Sequence, residues 1–106
     1  MPHRQYDITL ESPMGPKQGT LRMEVQNGTV TGILSLLGYD NRISGTVCGA
    51  GELCLSHLLR SAVSIFQCRS ELKLTEKELS GRVCTQHGCW DCHGTLTTET
   101  KKEQQA

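Results

Sequence analysis

The sequence predicts an all-β domain: about eight antiparallel strands in a meander, closed as a small barrel or folded as a two-layer sandwich, with two pseudo-symmetric four-strand halves. Three observations lead there. Apolar and polar residues alternate with period two through most of the chain. Turns rich in glycine, proline and asparagine interrupt that alternation. The chain also matches itself without gaps at an offset of 49 residues.

At that offset residues 28–32 (GTVTG) fall on 77–81 (KELSG), and Gly45-Thr46-Val47 falls on Gly94-Thr95-Leu96. Leu10 falls on Leu59, Met23 on Leu72, Val25 on Leu74, Val30 on Leu79 and Leu34 on Val83. Identity is low, but the apolar phase holds. One repeat covers residues 5–48 and the other 53–98, within a single domain of residues 1–98. Residues 99–106 are polar and charged and are expected to be a disordered tail.

In the first copy Tyr6, Ile8 and Leu10 alternate with Asp7 and Thr9. Ser12-Pro13-Met14-Gly15-Pro16 supplies a turn. Leu21, Met23 and Val25 form the next inward face, and Asn27-Gly28 a hairpin turn, since both residues tolerate positive φ. Val30, Gly32, Leu34 and Leu36 follow; Gly38-Tyr39-Asp40-Asn41 turns the chain; Ile43, Gly45 and Val47 close the unit. Gly49-Ala50-Gly51 links the copies. The second copy is expected to place strands at 53–59, 63–69, 72–74, 79–83 and 95–97. Its first part could be read as a helix through Leu55, Leu58, Leu59 and Ala62, but the matching segment of copy one holds Pro13 and Pro16, which no helix interior accepts. Gly32, Gly45, Gly81 and Gly94 fall at inward phases, as glycines do at barrel corners.

The 106-residue chain has few aromatics, Tyr6, Tyr39, Phe66 and Trp90, so its core is aliphatic. Basic and acidic residues balance to a net charge of zero, which argues against a nucleic-acid partner and weakly favours self-association. The N-terminus lacks the apolar run of a signal peptide, and no stretch approaches the roughly 18 apolar residues of a membrane span. The expected location is therefore cytoplasmic, and the six cysteines are expected as thiols or metal ligands rather than disulfides.

The run Tyr6-Asp7-Ile8-Thr9-Leu10-Glu11-Ser12-Pro13-Met14-Gly15, followed by Gly19-Thr20-Leu21 and the Thr31-Gly32 and Ser44-Gly45 strand endings, resembles uncharacterised short bacterial β-barrel proteins of anaerobes such as clostridia. They read roughly as YDxxLxTPMGxxxGTLxL. The resemblance covers residues 5–98 and rests on turn motifs, not chemistry. Association of some of these proteins with flavin-dependent oxidoreductases implies a role as an accessory subunit. The chain departs from the pattern in copy two, where Ser61-Ala62-Val63-Ser64 replaces the proline turn and a cysteine-rich segment fills the last hairpin.

That segment, residues 84–94, offers Cys84, His87, Cys89, Cys92 and His93. Zinc could use the three cysteines with either histidine, Cys89 and Cys92 having the two-residue gap of a knuckle. Cys84, Cys89 and Cys92 also match the first three ligands of a plant-type iron–sulfur spacing, but no cysteine follows. Cys89-Trp90-Asp91-Cys92-His93 matches a haem c attachment string, which normally follows export. A thiol-redox role for Cys89 and Cys92 would need a cation or helix terminus to lower a thiol pKa. Against all four stands the repeat. Cys84 matches Ser35 and Cys92 matches Ile43, which puts them on opposite faces, so the cysteines are favoured as small hydrophobes and surface thiols, with no metal or cofactor.

His57 takes the place of Ile8 at an inward phase: a hydrogen-bonded core histidine, or a ligand contact inside the barrel. Tyr39 and Trp90, in corresponding hairpins, pack across them or form a partner patch. His3 is expected in a frayed terminus without a role. No serine elbow, paired inward carboxylates or phosphate-binding glycine loop is present, so the reading favours a non-enzyme. The expectation is a binding or accessory module acting through a protein partner, a homo-oligomer or a small apolar ligand. The alternative is a metal-binding or thiol-redox protein using the Cys84–His93 hairpin.

Overall fold

The computed structural model describes residues 3–100. Eight antiparallel strands follow in order: β1 (His3–Ser12), β2 (Gly15–Gln26), β3 (Thr29–Leu36), β4 (Tyr39–Gly49), β5 (Glu52–Arg60), β6 (Ile65–Leu74), β7 (Glu78–Thr85) and β8 (Gly88–Thr100). Each pairs with the next, and β8 pairs back onto β1 through Tyr6↔Leu96 and Ile8↔Gly94, closing a barrel and leaving no sheet edge. β1 and β5, β3 and β7, and β4 and β8 each begin 49 residues apart.

The alternation decides what the barrel encloses, because successive side chains leave opposite faces of a strand. Tyr6, Ile8 and Leu10 of β1, Leu21 and Met23 of β2, Val30, Leu34 and Leu36 of β3 and Leu53, Leu55 and Leu59 of β5 are all buried. Their polar neighbours face out. Inside remains a void of about 20 Å³ among Ile8, Leu34, Leu55, His57, Ser70 and Cys92, room for about one water. Among the described residues every buried side-chain nitrogen and oxygen has a hydrogen-bond partner, and no helix is long and apolar enough to cross a membrane.

The turns set the register. Asn27 and Gly28 have φ of 55° and 78°, as a two-residue hairpin with the strands' right-handed twist needs. The next turn is Leu37-Gly38, with φ of 58° and 84°, two residues earlier than its composition suggests. Leucine rarely takes positive φ, so nothing local marks it. Tyr39, Asp40 and Asn41 therefore belong to β4, and Asn41 points into the barrel. In the second half, the expected strands at 63–69 and 72–74 are one strand, β6, which starts at Ile65. Residues 95–97 form part of the 13-residue β8. Nor do the ends fray where expected. His3 pairs with Glu24 across β1 and β2, its Nε2 lying 3.0 Å from the carboxylate, and Glu99 and Thr100 pair with Arg4 and His3. The rest of the expected tail, residues 101–106, lies outside the described residues.

Candidate functional site

The barrel has two dissimilar ends. One carries the β1–β2, β3–β4, β5–β6 and β7–β8 turns, and the residues singled out from the sequence gather near it. Phe66 and Trp90, facing in from β6 and β8, meet edge to face with centroids 6.4 Å apart, and His87 meets Phe66 at 6.0 Å from the β7–β8 turn. Asn41 closes the opposite side of the mouth. Its amide nitrogen donates to the Leu34 carbonyl at 3.1 Å, and its oxygen accepts from the Arg60 N–H at 3.1 Å. One side chain thus joins β3, β4 and β5. Trp90 stands at Asn41's place in the other half and closes its side by packing instead.

Exposed apolar side chains collect around this mouth, among polar ones such as Asp40, Arg60, Ser64 and Gln86. Among the described residues six large apolar side chains are exposed, and five (Met14, Tyr39, Leu58, Val63 and Ile65) lie on the turns here or on the strands leading to them. Met14 is 86 % exposed and Val63 93 %. The tip bearing Val63 holds its shape, because the Ser61 N–H donates to the Ser64 carbonyl and the Ser61 hydroxyl accepts from the Ser64 N–H. Scattered apolar side chains need no explanation, but the gathering of five of six at one end does.

The cysteine and histidine segment does not converge. Cys84 and Cys89 face each other across β7 and β8 and are joined in a disulfide, which corrects the expectation of thiols or ligands there. The reason is register: the two-residue turn Gln86-His87 sets the two cysteines directly opposite, with Cα atoms 3.9 Å apart. Cys92 lies three residues from Cys89 on the same continuous strand, so it faces the interior, where burial pushes its thiol up to about 11. His93 faces out, its Nε2 3.0 Å from a Glu11 carboxylate oxygen. Among the described residues no three His, Cys, Asp or Glu side chains are grouped so as to hold a metal ion.

His57 lies inside the wall, 5 % exposed. Its Nδ1 donates to the Leu58 carbonyl at 3.2 Å and its Nε2 accepts from the Ser70 hydroxyl at 2.7 Å. A carbonyl only accepts, so Nδ1 carries a proton, and in the neutral ring Nε2 is then the acceptor. Ser70 fell between the expected strands at 63–69 and 72–74; the 49-residue offset sets it on the inward-facing Leu21, but only the pairing of β5 with β6 makes it the partner of His57. Desolvation by burial lowers the His57 pKa below 6.5, outweighing the hydrogen bond to Leu58. The unfolded chain therefore takes up this proton first as pH falls. Stability should be full above about pH 6.5 and decline from there down to the depressed native value, by at most about 1.4 kcal/mol per pH unit. Urea midpoints measured from about pH 8 to about pH 5 should show this slope, and a His57→Gln variant should lose it. An equal slope in the variant would place the titration elsewhere.

No protein-family model matches the chain, and no curated protein sequence does. Among solved structures it is similar to a redesigned β-barrel, mFAP1, bound to DFHBI. That similarity has a TM-score of 0.63 at 13 % identity and covers 89 % of this chain and 92 % of the other. It shows a common small-barrel fold.

Proposed function

We propose that this barrel is a non-enzymatic binding module that docks onto a protein partner through its apolar mouth. One observation carries the reading: five of the six large exposed apolar side chains lie at the end where Phe66 and Trp90 close the barrel. Anchors of this kind, ringed by polar residues, suit a protein interface. The filled interior supports a protein partner over a small apolar ligand, because a void of about 20 Å³ is far below the roughly 300 Å³ of ordinary ligand sites. A redox enzyme is the partner class that the sequence resemblance implies. The test is co-purification from native extract with wild type and with a Met14→Asp, Val63→Asp, Ile65→Asp variant. The three side chains are exposed, so the variant should keep the wild-type circular dichroism. Retention of the partner should fall at least about tenfold. Equal retention by the folded variant would refute the mouth as the docking surface.

The Cys84–Cys89 disulfide favours a second reading, a thiol-redox role for the β7–β8 hairpin. Cys89 is exposed and Trp90 follows it, so opening the bridge should alter tryptophan emission. Reduction by millimolar dithiol should shift that emission reversibly, and a Cys84→Ser, Cys89→Ser variant should not respond. The variant should also lose about 2 kcal/mol of stability. A bridge that opens only after unfolding would be structural.

A further inference from the structure

A second pair of cysteines lies on the outer wall, away from the mouth. Val47 pairs with Leu53 and Gly49 with Glu52, so Cys48 is the extra residue of a bulge in β4. Cys54 lies on β5 between the buried Leu53 and Leu55 and therefore points outward. Both thiols are free, Cys48 exposed and Cys54 half-buried, and both line one groove. In the ladder Cys54 faces Thr46, and Cys48 stands two residues further along β4, diagonally across from Cys54 at the bulge. The two open onto a groove of about 360 Å³ bordered by Glu52, Glu71, Lys73 and Ser80.

We propose that Cys48 and Cys54 form a thiol–disulfide exchange site for low-molecular-weight disulfides. Cys48, the exposed member, attacks first as its thiolate. A bond forms to one sulfur of the incoming disulfide, its S–S bond breaks, and one thiol leaves with a proton from water. Cys54 then attacks the Cys48 sulfur of this mixed disulfide, gives up its proton to water and expels the second thiol. Two protein thiols are oxidised and one external disulfide is reduced to two thiols. The order follows from the pair itself. The neighbouring Cys48 thiol, then burial, then Glu71 and Glu52 hold the Cys54 pKa up in the free dithiol. Formation of the mixed disulfide leaves no ionisable thiol at Cys48, so Cys54 ionises more readily at the step that needs it.

The probe is uncharged hydroxyethyl disulfide, added to the full chain with the Cys84–Cys89 bridge in place. Tryptic peptide 43–60 contains Cys48 and Cys54 and no other cysteine, so mass spectrometry reads the pair alone. The wild-type peptide should become two hydrogens lighter and resist alkylation at both sulfurs. With released thiol near 10 µM, an effective concentration in the millimolar range predicts about a hundredfold excess of ring over mixed disulfide. A Cys54→Ser variant should stop at the hydroxyethyl adduct on Cys48. A wild-type peptide that stops at the same adduct, or stays reduced in the folded chain while the unfolded chain oxidises, overturns the proposal, and neither result depends on the variant folding.

Discussion

Gly45→Ala should destabilise the barrel by about 3 kcal/mol or more, and a chain that no longer folds is within the expected range. Gly45 sits mid-strand in β4, opposite Leu55 of β5 and on the inward phase with Ile43. A Cβ there would collide with the Cys54 carbonyl oxygen and lie 2.8 Å from the Leu55 Cα. Both obstacles are backbone, held by the β4–β5 ladder, so no side chain can rotate away and relief requires the strands to part. Gly32 stands in the same relation to Arg22 and Met23, and Gly81 to Glu71 and Leu72. The requirement belongs to the closure of the wall rather than to one hairpin. Urea unfolding followed by far-ultraviolet circular dichroism measures it, with Thr46→Ala, an exposed neighbour, as the comparison. A Gly45→Ala midpoint equal to that of Thr46→Ala would mean that β4 and β5 curve less tightly than described.

Tyr6→Ala should cost about 3–5 kcal/mol, whereas Tyr6→Phe should cost about 1 kcal/mol or less. Tyr6 has no exposed surface, and of the chain's aromatic residues none is more deeply buried. It pairs with Leu21 on β2 and Leu96 on β8, beside the irregularity between Gln5 and Tyr6 where β8 closes onto β1. Its ring therefore fills the seam that makes the sheet a barrel. The hydroxyl accepts from the Arg4 guanidinium at 3.3 Å, a bond near the partly wet end of the strand, so its removal costs little. The same unfolding experiment separates the two terms. Equal losses in the two variants would assign the stabilisation to the hydroxyl; a small loss in both would mean that the seam is held by the ladder alone.

These two positions also divide what could be read in the chain from what could not. The inward phases of Tyr6, Ile8, Leu10, Val30, Leu34 and Ile43 follow from alternation, because a strand with one buried face must alternate. Asn27-Gly28 announces its own turn through its backbone chemistry. Gly45 was legible as an inward glycine, though the carbonyl that excludes its Cβ belongs to another strand.

The hairpin at the end of the chain shows where local reading stops. The spacing of Cys84, Cys89 and Cys92 is equally compatible with a knuckle, a cluster and a cross-strand bridge. A turn of two residues at Gln86-His87 puts Cys84 opposite Cys89 and sends Cys92 to the other face; a shift of one residue would reverse each side chain. Asn41 looked like part of a turn because the true turn uses a leucine at positive φ, and its bridging role needs β3 and β5 on either side. The sequence by itself determined the strand period, the aliphatic interior and the sharper turns, since these depend on neighbours along the chain. The tertiary structure alone decided the closure of β1 on β8, the Cys84–Cys89 bridge, the placing of Cys48 and Cys54 on one groove and the gathering of apolar tips at one mouth, because each depends on the register between strands.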